Sequence, residues 1–296
     1  SRISIDSQIY QKFEKALIDK LCYLVFKKDE IVDGEKIYKR NVLEGLQLSC
    51  PVPAVKDMKN QNGFIFYVWP QYTSKIDPIT GFVSMFDTRA KTIDEYISFF
   101  KKFANIKYNG EDFEFHVNNY QQFYDKKNKM IFNNFIITSK GERWIHEKKD
   151  GKWVSTQVNP TEKLLKLFAN KIDIYDDIRT QITETRMSSD FYYELTLIFR
   201  DIIQLRNSKS GDSSVDYILS PVLLKDGTTF DSTKQKKMQE QGEKVVLPID
   251  ADANGAYHIA LKGLMALKTL TPDGKIKISN KNSDWFMFIQ KKDYKK

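Results

Sequence analysis

Asp250, Asp252 and Asn254 stand at alternate positions, directly ahead of a run with helical spacing. Ala256, Ile259, Ala260, Gly263, Leu264 and Leu267 recur every three or four residues, which predicts a helix carrying them on one face. Small residues on that face would let the helix lie close to a sheet. The acids fall at or just before the first turn, where backbone N–H groups lack partners and the dipole favours an anion. Two chemistries are open. An Asp before a helix commonly caps it. A carboxylate there can also hold a divalent metal, because hard cations take oxygen ligands. Spacing alone leaves both standing. Other familiar patterns do not occur. His116, His146 and His258 are scattered without ligand spacing, and no Gly-rich phosphate loop or Ser/His/Asp pattern is found.

A chain of 296 residues can bury a substantial core and exceeds the usual size of one domain, so two domains are expected. Apolar residues make up 41% and aromatics 13%, which excludes a disordered chain. The formal net charge of +8 suits a polyanionic partner without proving one. Its lysines are spread out, dense only at 234–237 and in the tail 291–296, and such runs are most often solvated faces. Cys22 and Cys50 form no metal-spaced cluster, which fits a reducing, cytoplasmic setting. No run of eighteen apolar residues exists and the N-terminus is no signal peptide, so no membrane partner is expected. The chain starts at Ser1 without a Met, and the expectation is a fragment of a longer protein.

Asp250-Ala-Asp-Ala-Asn-Gly-Ala-Tyr-His-Ile-Ala260 resembles the third RuvC segment of the type V CRISPR RNA-guided DNA endonucleases, in particular the type V-A effectors. The stretch Gln8–Leu21 is similar to the helix that follows their second RuvC segment. Tyr72-Thr-Ser-Lys-Ile-Asp-Pro-Ile-Thr-Gly-Phe82 has the outline of half a zinc ribbon, with Asp77 and Thr80 at the metal positions. Thr80 offers neither thiolate nor imidazole, so the expectation there is a turn without zinc. Leu205-Arg206-Asn207-Ser208, then Asp216-Tyr-Ile-Leu-Ser-Pro-Val222 and Phe230-Asp-Ser232, resemble a series in the Nuc domain of the same effectors. Leu205 stands where the family has Met, a volume-conserving swap.

The resemblance implies an α/β fold, α+β overall: a partial RuvC, RNase H-like layer interrupted by an inserted α+β Nuc domain. The expected boundaries are 1–69 for the end of the second RuvC segment, 70–249 for Nuc and 250–296 for the third RuvC segment. It implies an endonuclease that hydrolyses DNA with magnesium in a two-metal site completed by acids outside this chain, and a fragment inactive by itself. The implied partners are target DNA, and guide RNA through the full-length protein. Asp252 matches the third-segment acid and would be the metal ligand, Asp250 a less critical position, while Asn254 would orient Asp252 or its water shell. Arg206 matches the Nuc arginine used for cleavage. A guanidinium grips phosphate through two parallel hydrogen bonds and keeps its charge. An Arg ending a helix can instead serve the dipole. Asp216 would either orient Arg206 or cap a turn, and Ser208 would donate to a phosphate. His258 is expected to pack. Two rivals remain. One is a non-catalytic single-stranded nucleic-acid-binding module using Trp69, Tyr72 and Lys75. The other is a structural or partner-binding domain in which Asp252 merely caps.

Periodicity adds the elements that must position these residues. Helices are expected at 7–26, around 42–46, and at 93–103, 161–169, 175–182, 190–206 and 280–290. Strands are expected at 63–69 and 112–117, with a hairpin of 130–138 and 141–146 turning at Lys140-Gly141. The polar stretch 234–244 reads as a mobile loop.

Overall fold

The computed structural model describes residues 12–13, 16, 31–32, 35–36, 60–62, 68–121, 132–271, 275–279 and 281–291. The helix expected over 7–26 falls mostly outside the described residues, and that around 42–46 wholly so. Of the strand expected over 63–69 only Val68 and Trp69 are described, in neither helix nor strand. In chain order the elements begin β1 (Ile31–Val32), β2 (Glu35–Lys36), β3 (Asn60–Asn62), α1 (Ile93–Phe100), β4 (Asn105–Tyr108), β5 (Phe113–Gln121), β6 (Phe132–Thr138), β7 (Arg143–Lys149) and β8 (Lys152–Val158). They continue α2 (Pro160–Phe168), α3 (Ile178–Glu184), α4 (Ser189–Ile202), β9 (Arg206–Lys209), β10 (Asp212–Ile218), α5 (Ser232–Glu240), α6 (Ala251–Leu267), β11 (Lys275–Lys277) and α7 (Asn282–Lys291). Helices with small antiparallel sheets make this an α+β fold, with no closed barrel among the described residues. By internal contacts the chain divides into two compact units: 1–70 with 259–288 and 292–296, and 71–258 with 289–291.

In the first unit β3 pairs antiparallel with β11, and β1 with β2. Trp285, Phe286 and Phe288 of α7 are buried. Lys262 is buried too. Its Nζ donates to the Trp69 carbonyl at 2.6 Å and lies 5.2 Å from the centre of the Trp285 ring.

The second unit is built on an aromatic core. Phe199, on the buried stripe of α4, meets Phe86, Phe99, Phe103 and Phe115 edge-on at 5.2–5.5 Å. Edge-to-face contacts of this kind set a ring's negative face against another's positive rim. The helices around this core have sequence-encoded starts. Thr92 and Glu95 form a reciprocal capping box on α1, Asn159 and Asp177 cap α2 and α3, and Ser188 caps α4.

Four expectations change. The hairpin at Lys140-Gly141 does not form. β6 pairs with β5, and its other edge is taken by 221–223, with Thr138 N–H donating to Pro221 O and Leu223 N–H to Ile136 O, both at 2.8 Å. With both edges of β6 occupied, β7 pairs instead with β8 across Asp150-Gly151. Those two residues have φ of 50° and 78°, the pair of positive values that a two-residue hairpin turn requires. The polar stretch at 234–244 is not a loop over its first half. It forms α5, because Asp231 caps it and Lys, Gln, Met and Glu are good helix formers. The helix expected to reach Arg206 ends at Ile202, and Arg206 opens β9. Finally, α6 buries the face opposite the expected one: Ala251, Asn254, His258, Leu261, Lys262 and Ala266. Ile259, Leu264 and Leu267 stay exposed, at 41%, 37% and 46%. The polar members of the buried face are accommodated because each finds a main-chain carbonyl.

Candidate active site around Arg206

Arg206 is displayed by a two-stranded ribbon. β9 and β10 pair antiparallel with Ile218 opposite Arg206, Tyr217 opposite Asn207 and Asp216 opposite Ser208. Strand side chains alternate, so Arg206, Ser208, Asp216 and Ile218 share one face. The other face is anchored by Asn207, fully buried, whose Oδ1 accepts from the Trp144 N–H at 3.2 Å. Gln204 fixes the entry to β9. Its side-chain amide donates to Trp144 O at 3.2 Å and to Arg206 O at 2.6 Å.

On the shared face the guanidinium of Arg206 is held diagonally. Its Nε donates to Asp216 Oδ1 at 3.0 Å and its Nη2 to Asp216 Oδ2 at 2.9 Å. This is the two-pronged match of a planar guanidinium to a carboxylate. Asp216 is 15% exposed and Arg206 52%, so the acid is the sunken member. Burial pushes the Asp216 carboxyl above its ordinary range. Arg206 pulls it back, and the charges of Asp252 and Asp250 push it up again. The reading in which Arg206 ends a helix and serves its dipole therefore lapses. It lies on a strand, and Asp216 orients it.

The third edge of the guanidinium faces α6. Arg206 Nη1 lies 3.5 Å from Asp252 Oδ1. A small apolar cluster puts them there: Ala251 at the start of α6 packs with Ile218 and Phe230, against Ile79, Leu205 and Leu247. The two acids divide the roles that spacing had left open. Asp250 caps the helix, accepting the Ala253 N–H on Oδ1 at 2.7 Å. Asp252 makes no cap. Its side chain is 85% exposed and turned to Arg206.

Asn254 was expected beside Asp252, but it faces the other way. It is fully buried, and its Nδ2 donates to Ile76 O at 3.0 Å. The partner lies in the turn Tyr72–Phe82. There Asp77, also fully buried, accepts the N–H of Ile79 at 2.9 Å and of Thr80 at 2.6 Å on Oδ1. Gly81 N–H returns to Asp77 O at 3.0 Å, with Gly81 at φ +70°. One carboxylate thus organises the turn, and Asn254 bolts it to α6. His258, one turn on, is buried with Nδ1 2.9 Å from Asn254 O. Ser208 sits opposite Asp216 in the ladder.

Two placements are not legible in the sequence, although it singles out the residues involved. Asp231 and Ser232 hold the end of β10, with Ser232 Oγ accepting the Ile218 N–H at 2.8 Å. Lys75 and Ser74 line a cavity that Arg206 also lines. The signal for the second was the Tyr72–Phe82 turn, whose place beside Arg206 only the fold reveals.

A magnesium ion needs several oxygen ligands in near-octahedral order. Asp252 fits as one such ligand, being exposed, anionic and uncommitted to a cap. Among the described residues no group of three or more His, Cys, Asp or Glu is arranged to hold a metal. Nor is any described helix long and apolar enough to cross a membrane.

With the site described, comparison with known families gives its class. Residues 76–234 of the 296 match the model of the Nuc nuclease domain. That is more than half of the chain, and it includes Arg206 and Asp216. The chain belongs to this family of nuclease domains, which is characteristic of CRISPR-type effectors.

Proposed function

We propose that this chain is the C-terminal part of a type V-A RNA-guided DNA endonuclease. In this reading it supplies the Nuc arginine and one RuvC carboxylate for magnesium-dependent phosphodiester hydrolysis in the prokaryotic cytoplasm. One observation carries the reading: Arg206 is clamped by Asp216 while its remaining prong points at Asp252. A guanidinium free to turn would find a phosphate slowly and lose entropy on gripping it. One pre-set by Asp216 has already lost that freedom, which is how positioned charge lowers a barrier. Its Nη1 donors would bond a non-bridging phosphate oxygen as water adds to phosphorus and the bond to the leaving deoxyribose oxygen breaks. The water gives its proton to solvent and the leaving sugar oxygen takes one from solvent, while negative charge builds in the transition state on the oxygens nearest Nη1.

Asp252 would give one oxygen to the magnesium site, completed by carboxylates outside this chain. Magnesium would supply Lewis acidity to activate the water and steady the leaving oxygen. Guide RNA would select the target by pairing, while the protein handles backbone.

The test is made in the full-length effector. Arg206→Ala and Asp252→Ala should each lower DNA cleavage by at least about a hundredfold while guide-directed binding survives. If Asp252→Asn cleaves normally, the chain is instead a structural or partner-binding domain in which Asp252 holds no metal. This chain alone should not cut DNA. Magnesium-dependent cleavage abolished by Asp252→Ala would reject that part of the proposal.

A further inference from the structure

Behind Arg206 lies a cavity of about 350 Å³, lined by Ser74, Lys75, Phe82, Ser84, Leu205 and Arg206, with Ile203 and Pro221 completing it. That is the small end of the roughly 300–1,000 Å³ typical of ligand pockets. Its lining has two characters. Phe82, Ile203, Leu205 and Pro221 give apolar contact, and Ser74, Ser84, Lys75 and Arg206 give polar groups. Lys75 makes no ion pair among the described residues, so its charge is uncommitted. The cavity is continuous with the proposed catalytic groups because Arg206 is a wall of both.

We infer that this cavity receives the base of the nucleotide next to the phosphate held by Arg206, and that Lys75 takes the following phosphate. The inference rests on Arg206 acting on phosphate. A phosphate at that guanidinium carries its sugar and base to the cavity mouth. Two cations flanking an apolar recess match the alternation of charged backbone and flat apolar base in a single strand. A base within a duplex could not enter without leaving its stack, so the recess selects single-stranded DNA. Serine hydroxyls both donate and accept, so Ser74 and Ser84 can serve any base edge, and weak sequence preference follows. The turn that carries Ser74 and Lys75 is immobilised by Asn254 on Ile76 O, and Gly255 leaves the Ser74 side chain 3.9 Å from where a Cβ would stand. The recess is therefore pre-formed.

The test uses the full chain and fluorescence anisotropy with two probes, a thymidine pentamer and an abasic oligomer of equal length. Ser84→Trp, which fills the recess, should weaken binding of the pentamer about tenfold and leave the abasic oligomer unchanged. Lys75→Ala should weaken both and lower the salt dependence by about one ion. Arg206→Ala should weaken both. Equal binding of both probes to Ser84→Trp and the unaltered chain overturns the base site and leaves the phosphate role of Arg206 intact. Unchanged binding by Arg206→Ala removes the phosphate role, whatever Ser84→Trp does. If circular dichroism shows Ser84→Trp misfolded, Ser74→Trp fills the recess from the other side and is judged by the same criterion. An unaltered chain that binds neither probe overturns both ideas.

Discussion

Asn254 donates its amide hydrogen to the carbonyl of Ile76, 178 residues earlier in the chain, at 3.0 Å. Both groups are fully buried in the second unit. Asn254→Ala should cost about 1–3 kcal/mol, the penalty of a buried carbonyl left without its donor. Urea unfolding would measure it. A loss below about 0.5 kcal/mol would mean that the turn is held by something other than this bond.

Asp250 and Asp252 should separate in the same experiment. Asp250→Ala removes a helix cap and should cost about 1 kcal/mol. Asp252 is exposed, and its replacement should change stability by less than about 0.5 kcal/mol. In full-length cleavage the order should invert, with Asp252 the more damaging of the two.

Asp216 titrates above the ordinary carboxylate range because it is buried, and Arg206 partly offsets this. Across the window between its unfolded and folded pKa the native state holds more protons than the unfolded one. Stability therefore falls as pH rises through that window. Unfolding free energies of the unaltered chain should decline against those of Asp216→Asn from about pH 4 upward. Arg206→Ala should push the Asp216 pKa higher still, measurable by carboxyl carbon NMR. A downward move would contradict the ion pair.

Lys262 has the opposite sign. Burial lowers it from 10.5 to about 8. Between those values the unfolded state binds the extra proton, so this residue makes stability rise as pH rises from about 8 to 10.5. Lys262→Met should abolish that rise. A stability curve unaltered by the substitution would show the ammonium to be solvated.

Gly81 stands at φ +70°, and a Cβ there would lie 2.9 Å from Ile289 Cγ2. Gly81→Ala should destabilise the chain by about 1–3 kcal/mol through strain and overlap together. Thermal unfolding would register it as a lower midpoint.

Helix starts were legible because their causes are local. Ser188 and Asn159 cap through side chains two or three residues from the groups they satisfy. The helical stripe of Phe191, Leu195, Ile198 and Phe199 is buried as its spacing predicts. Pairing was less legible. Nothing near Lys140-Gly141 tells that 221–223 will take the free edge of β6, whereas Asp150-Gly151 is itself a turn signal of the two-residue hairpin kind. The α6 face was misread because its buried polar residues depend on carbonyls remote in sequence, such as Ile76 O for Asn254. Of the candidate site, the residue types were visible in the family-like words around Arg206 and Asp252. Their 3.5 Å approach, and the division of labour between Asp250 and Asp252, were not.

Among the described residues the strand ladders of the second unit join strands adjacent in sequence, β4 to β5, β5 to β6, β7 to β8 and β9 to β10, apart from the single bridge of β6 to 221–223. Such pairings close short loops and form early. Asp252 and Asn254 belong to the opposite category, since they reach partners 46 and 178 positions upstream. On a ribosome the aromatic core and the clamp of Arg206 by Asp216 can therefore be complete before the acid of α6 has been translated. In a nascent chain the approach of Asp252 to Arg206 would thus be among the last of these contacts to form.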